Sequence, residues 1–283
     1  MKQYIDLCDR IIVDGIWIKN ERTGVKCLTV INADFEYDCS TGLLPVLTTK
    51  KMAWKPAIAE MLGYIRGYTS AAQFRKLGCN TWNANANENE AWLANPWRKG
   101  MDDMGRCYGA QGRDWRNPEN NPIDQLKNVY NDLKAGIDNR SEIITFMNPG
   151  ERDRACLNSC MHTHTFSLVN DDLYLTSYQR SDDVPIGHPF NMIQVAWFLM
   201  IMAQITGHKP AKAFHKVVNA HIYDNQLDTL INEQLDREPY PSPTLMINPD
   251  IKTLNDLENW VTTDDFGLDE YKHHPPRKYE FSV

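Results

Sequence analysis

The stretch ERDRACLNSCMHTHTFSLV, residues 151–169, holds the side chains best suited to chemistry: Cys156, Cys160, His162 and His164. In an extended strand, positions two apart share a face. Cys160, His162 and His164 would then point the same way, as a three-ligand zinc site requires. No fourth ligand follows at zinc-like spacing, and ligands so close along one strand seldom surround an ion. A second reading makes Cys160 a small core residue, the usual fate of a free cysteine. The third makes it a nucleophile, and the residues downstream favour it. YQRSDDVPIGHPFN (178–191) gathers Gln179, Arg180, Ser181, Asp183 and Asn191 around proline and glycine turns. A guanidinium at Arg180 would lower a nearby thiol's pKa and could also grip an anion bidentately. Asn191 offers a donor and an acceptor side by side, the pattern that reads the edge of a pyrimidine-like base. Glu60 adds a carboxylate in the middle of an apolar helix stripe, among Ala57, Ile58, Ala59, Met61 and Leu62. Such a group is unfavourable there unless it has partners or a task.

The elements that must carry these residues follow from periodicity. Residues 1–14 and 55–67 are expected to be helical, with Ile58, Met61, Leu62 and Ile65 on one stripe of the second. CLTVINADFEYD (27–38) alternates as a strand. Residues 83–121, rich in Asn, Gly and Trp, read as a long elaborated loop of the kind that often carries binding residues. A helix is expected over 123–133, and strands over 142–148, 162–169 and 172–180. Another helix is expected over 191–206, and a strand at LMINPDI. Helices and strands without regular βα alternation imply an α+β fold with one mixed sheet backed by helices.

At 283 residues the chain can bury a substantial core. Apolar residues make up 42% and charged residues 24%, an ordinary soluble composition. A net charge of −7 with scattered basic residues argues against a nucleic-acid partner. The opening MKQYIDLCDRIIVDG places Tyr4, Leu7, Cys8 and Ile11 at helical spacing and is not read as a signal peptide. The apolar run Met192 to Ile205 contains Gln194 and Gln204 and reads as a buried helix, not a membrane span. Seven scattered cysteines without a secretory signal fit a reduced, cytoplasmic protein.

Taken together, CMHTHTFSL, YQRSDDVP with PFN, NAHIYDNQL, NERTG, VLTTKK and DDMGRCYGAQGRDW resemble the blocks of the thymidylate synthase family. The likeness spans residues 1–283, which implies one catalytic domain. It implies reductive methylation of dUMP, with 5,10-methylenetetrahydrofolate giving both the carbon and the hydride, and no metal. Cys160 would add to C6 of the pyrimidine, stabilised by Arg180. Arg22, Arg180 and Ser181 would bind the phosphate, joined by Arg140 from the partner of a homodimer formed through a sheet face. Gln179 falls within the same substrate-binding block. Asn191 would hold the uracil edge, and His221 with Tyr223 the 3′-hydroxyl. Glu60 would relay protons, with Tyr108 near the proton lost from C5. Trp82, Leu157, Ile186, Gly187 and Phe190 would wall the folate, Asp183 would bind its pterin, and Lys50 would meet its glutamate tail. Ser282 and Val283 would close over the site.

Ser159 stands where that family usually has proline, Asp182 where it has cysteine, and His188 where it has an apolar residue. Ser141 replaces a frequent second arginine. The added polarity raises an alternative: a hydroxymethyltransferase, in which water and not hydride captures the methylene intermediate. Trp82 and the terminal FSV favour methylation, and Asn191 favours dUMP over dCMP. A third alternative is a non-catalytic metal- or nucleotide-binding protein using the Cys160/His162/His164 face.

Overall fold

The structure, a computed structural model, describes residues 1–19 and 24–280. Its frame is a six-stranded sheet of β1 (Ile16–Lys19), β2 (Lys26–Asp38), β3 (Ile143–Thr145), β4 (Met161–Val169), β5 (Asp172–Asp183) and β6 (Lys209–Tyr223), in the order β1-β2-β6-β5-β4-β3. All neighbours run antiparallel except β5 and β6. A parallel pair cannot be closed by a hairpin and needs a crossover. Among the helices α1 (Lys2–Asp14), α2 (Trp54–Ile65), α3 (Gln125–Lys134) and α4 (His188–Thr206), α4 is that crossover. The fold is α+β with a mixed sheet, as the sequence implies.

Helix α4 lies between the sheet and α2, so nearly its whole circumference is buried. This explains why it is apolar all round instead of amphipathic. Its length and hydropathy would suffice to cross a bilayer, yet it is the packed core of this protein. Its two glutamines are satisfied inside: Gln204 donates to the carbonyls of Asn248 and Ile251, and Gln194 to those of Ala57 and Glu60's carboxylate. Pro189 sits in the first turn, where no N–H is needed, and Gly207 ends the helix at φ 87°.

Two regions differ from the sequence expectation. The turn-rich stretch 178–191 is mostly regular, because pairing with β6 carries β5 on to Asp183 opposite His221, and α4 starts at His188. Residues 83–121 contain short helices at Asn83–Asn87, Glu90–Leu93 and Gly109–Arg113 and a short strand, Trp115–Arg116, that pairs with Pro122–Ile123. Side chains, not periodicity, hold that region: Arg75 grips Asp102 with two nitrogens, and Arg106 bridges Asp114 and Glu151.

Candidate active site

Strand β4 begins just after Cys160, and a register shift between Met161 and Thr163 breaks its alternation. Cys160, His162 and His164 therefore do not form one ligand face. His164 is fully buried, bonded to Ser177 Oγ at 2.7 Å and packed edge-on to Phe146 and Phe198, and burial pushes its imidazole down to about 3. No group of three or more His, Cys, Asp or Glu among the described residues is placed to hold a metal ion.

Of the seven cysteines, six are buried and Cys160 alone is partly open. It lines a cleft of about 780 Å³ with Leu157, Gln179, Arg180, Ser181, Asp183, Gly187, Asn191, His221 and Tyr223. The parallel register explains this gathering: Ser181 lies beside Asn219, and Asp183 beside His221, at the carboxyl ends of β5 and β6. Arg180 is pinned by the chain it serves. Its Nε and Nη2 donate to the carbonyls of Ser159 (3.1 Å) and Asn158 (2.9 Å), and its backbone N–H donates to Cys160 O. The same Nη2 then lies 3.6 Å from Cys160 Sγ. A fixed cation at that distance favours the thiolate over the thiol.

A buried amide relay crosses the floor. Gln179 Nε2 donates to Asn191 Oδ1 (3.0 Å) and to Ser181 O. Asn191 Nδ2 donates to Gln194 Oε1 (2.9 Å), and Gln194 Nε2 donates to Glu60 Oε2 (2.7 Å). The carbonyls of Ser181 and Ala57 fix the two glutamine amides, so the direction of the relay is set. Thr81 Oγ1 donates to the other Glu60 oxygen. Burial raises the Glu60 carboxyl above its ordinary value, against the bonds from Thr81 and Gln194. Tyr108 lies on the opposite side, stacked on Tyr64 at 4.5 Å, with its phenol oxygen accepting the Cys160 N–H at 2.8 Å. Its φ of 38° is left-handed, a strained conformation for an aromatic residue that holds the ring against the nucleophile's backbone.

Asp183, partly buried, accepts from Gln226 Nε2 (3.1 Å), and burial pushes its carboxyl up to about 7. His221 pairs through Nδ1 with Asn219 Oδ1 at 2.9 Å and meets Tyr223 edge-on. Lys50 is buried, donates to Pro185 O (2.7 Å), lies over the Tyr279 ring, and is held down to about 8 by burial. Glu60, Tyr108, Lys50, Trp82, Ile186 and Phe190 are not part of the cleft lining. Trp82 is buried edge-on to Tyr108 at 5.5 Å. Arg140 is exposed ahead of β3 and also absent from the lining. Arg22, Ser282 and Val283 lie outside the described residues.

Sequence reasoning left out Gln194, Thr81 and Gln226, which orient Glu60, Asn191 and Asp183, and Asn158, whose carbonyl anchors Arg180. Gln194 carried the same signal as Glu60, a polar group inside an apolar helix. Arg152, exposed at the cleft, carried none beyond its charge.

A cysteine held against a fixed guanidinium, beside an asparagine whose amide is held at both ends, is an arrangement suited to covalent nucleophilic catalysis on a ligand with a planar amide edge. Comparison with known proteins adds the lineage. A sequence model described as thymidylate synthase matches residues 2–283. A thymidylate synthase of Haemophilus influenzae strain PittGG is 64% identical over 283 residues, covering 100% of both chains. Thymidylate synthases of Idiomarina loihiensis and Actinobacillus succinogenes are each 62% identical over the same full length. The chain belongs to the thymidylate synthase family, whose reaction is the folate-dependent reductive methylation of dUMP to dTMP.

Proposed function

We propose that residues 1–283 form one catalytic domain that methylates dUMP in the cleft around Cys160. The observation that carries this reading is the 3.6 Å approach of Arg180 Nη2 to the only partly open cysteine. Methylenetetrahydrofolate supplies the one-carbon unit and the hydride. Cys160 adds through sulfur to C6 of the pyrimidine, and the electron pair moves to C5, which attacks the methylene carbon. Asn191 presents one donor and one acceptor to the uracil edge, its amide held by Gln179 and Gln194. Glu60 stabilises charge on the base and moves a proton through Gln194's neighbourhood, and Tyr108 stands near the C5 proton. Loss of the C5 proton breaks the methylene carbon's bond to folate nitrogen and releases tetrahydrofolate, whose hydride then reduces the exocyclic methylene as the Cys160 sulfur leaves C6, giving dTMP and dihydrofolate. Arg180, Ser181 and Arg22 bind the phosphate, and His221 with Tyr223 the sugar hydroxyl. Leu157 and Gly187 wall the folate from the cleft lining, backed by Trp82, Ile186 and Phe190, Asp183 meets its pterin N–H groups, and Lys50 supports that wall through Pro185 O.

Hydroxymethyl transfer is not favoured. Among the polar departures, Asp182 and His188 bond to each other at 2.6 Å, fully buried, and Ser159 is buried with its hydroxyl toward Phe146 O. His188 and Ser159 offer no exposed group to order a water for capture. The described tail reaches Glu280, whose carbonyl accepts from Gln226, the residue that also holds Asp183.

The protein works as a cytoplasmic homodimer without nucleic acid or membrane partners. Ile31, Tyr178 and Val218, on central strands, are 60%, 41% and 52% exposed because the helices cover only the other sheet face. A second copy covering that face would bring Arg140 to the neighbouring phosphate. Product analysis with dUMP and methylenetetrahydrofolate tests the reaction. Equal amounts of dTMP and dihydrofolate are expected; hydroxymethyl-dUMP without dihydrofolate would overturn it.

A further inference from the structure

Asp182 and His188, two positions where the sequence departs from its family's habit, meet in space. His188 Nδ1 lies 2.6 Å from Asp182 Oδ2, and both side chains have no exposed surface. Asp182 is the penultimate residue of β5, which carries Gln179, Arg180 and Ser181; His188 opens α4, which carries Asn191 and Gln194. The pair therefore ties together the two elements that hold the two halves of the site. His188 is clamped in turn, stacked on His215 (5.2 Å, 5°) and against Phe35 (4.1 Å). His215 Nε2 lies 2.7 Å from Gln179 Oε1, and Gln179 holds Asn191. Two routes thus run from the pair to Asn191, one along the first turn of α4 and one through His215 and Gln179.

We infer that Asp182 and His188 are a matched pair of positioning residues that fix the amide of Asn191 and so set the preference for uracil over cytosine. The inference rests on the uracil-reading role given to Asn191 above. With His188 absent, a carboxylate is left buried without its donor, β5 and α4 shift apart, and the amide of Asn191 is freed to turn. A turned amide presents its donor and acceptor in the order that cytosine accepts.

The test measures dissociation constants for dUMP and dCMP by calorimetry, with a thermal melt for each variant. H188L is expected to weaken dUMP binding about tenfold and to narrow the dUMP-over-dCMP ratio by about the same factor, the scale of one lost buried hydrogen bond. D182N keeps an acceptor for His188 Nδ1 and should hold the wild-type ratio. D182C/H188L, which removes both polar partners, should recover most of the loss. If H188L does not fold, D182S carries the same expectation, because its shorter side chain leaves His188 Nδ1 buried without the acceptor that Asp182 Oδ2 supplies. A folded H188L or D182S with the wild-type ratio and only a lower melting temperature would overturn the inference while leaving the functional reading intact. Wild-type protein that fails to bind dUMP would overturn both.

Discussion

Asp183→Asn should make the protein more stable at pH 8 and leave it almost unchanged at pH 4. Burial, reinforced by the neighbouring Asp182, pushes the Asp183 carboxyl from 3.8 up to about 7, against the bond from Gln226. The folded protein therefore holds this proton more tightly than the unfolded chain does. The associated stability is complete below the unfolded value and is lost as pH rises toward 7. At about 1.36 kcal/mol per pH unit the gap corresponds to a ceiling of about 4 kcal/mol. The side of the carboxyl open to the cleft is screened by water, which brings the expected figure to about 2 kcal/mol. Lys50 works in the other direction. Its ammonium, held down to about 8 by burial and raised by Asp183, contributes stability that is complete above 10.5 and is lost as pH falls through about 8. Removing the Asp183 charge deprives Lys50 of a partner, which trims the gain above pH 7 without reversing it. Melting curves of both proteins from pH 4 to 8.5 give the difference directly, and groups common to both cancel. A chain of this size shifts by about 2–4 °C per kcal/mol, so the difference should grow from near zero at pH 4 to about 4–8 °C at pH 8. A difference that does not vary with pH would refute the reasoning. The stabilised variant should also bind folate poorly, since its amide cannot accept from two pterin N–H groups as a carboxylate does.

Other substitutions separate the remaining roles. Cys160→Ser should abolish dTMP formation while dUMP binding by calorimetry persists, whereas Cys107→Ala, at a buried thiol that burial and Cys156 push well up, should keep turnover near wild type. Arg180→Lys cannot hold the carbonyls of Ser159 and Asn158 and still reach Sγ, so iodoacetamide should alkylate Cys160 about tenfold more slowly at pH 7, about the loss of one unscreened charge contact in water. Glu60→Gln keeps the bonds to Thr81 and Gln194 within reach but removes the proton carrier; kcat should fall about 10²- to 10⁴-fold with little change in dUMP affinity.

What was legible in the sequence follows from range of interaction. Helices α1 to α4 and strands β2 to β5 carry local periodicity, so their existence is visible and only their ends move, whereas β1 and β6 are not among the expected strands. The end of β5 is different: whether Ser181 to Asp183 is strand or turn depends on β6, some 38 residues further on by the Asp183–His221 pairing. Residues 83–121 are fixed by ion pairs such as Arg106 with Glu151, which no local pattern announces. Among the site residues, those that touch ligand stand out by chemical type. Those that only orient them, Gln194, Gln226 and Thr81, are ordinary polar residues until the partner is seen. The zinc reading failed for a related reason, since a bulge of one residue redirects every side chain beyond it.

The position of the site explains why the core and the chemistry cannot be varied independently. The parallel pair β5 and β6 requires a crossover, and the crossover is the most buried helix of the fold. The carboxyl ends of the two strands and the amino end of α4 must then lie together, as open sheets place ligands where strand ends face a change of direction. Polar groups entering that junction are largely shielded from water, so they depend on protein partners. Gln179, Asn191, Gln194 and Glu60 do so in one directed chain, and Asp182 and His188 do so as a pair. This mutual bonding holds the arrangement rigid, and rigidity would let an asparagine discriminate between two bases that differ in the order of one donor and one acceptor. The same rigidity makes single substitutions there costly and paired ones tolerable, so the junction can change only by coordinated replacement of side chains on both elements.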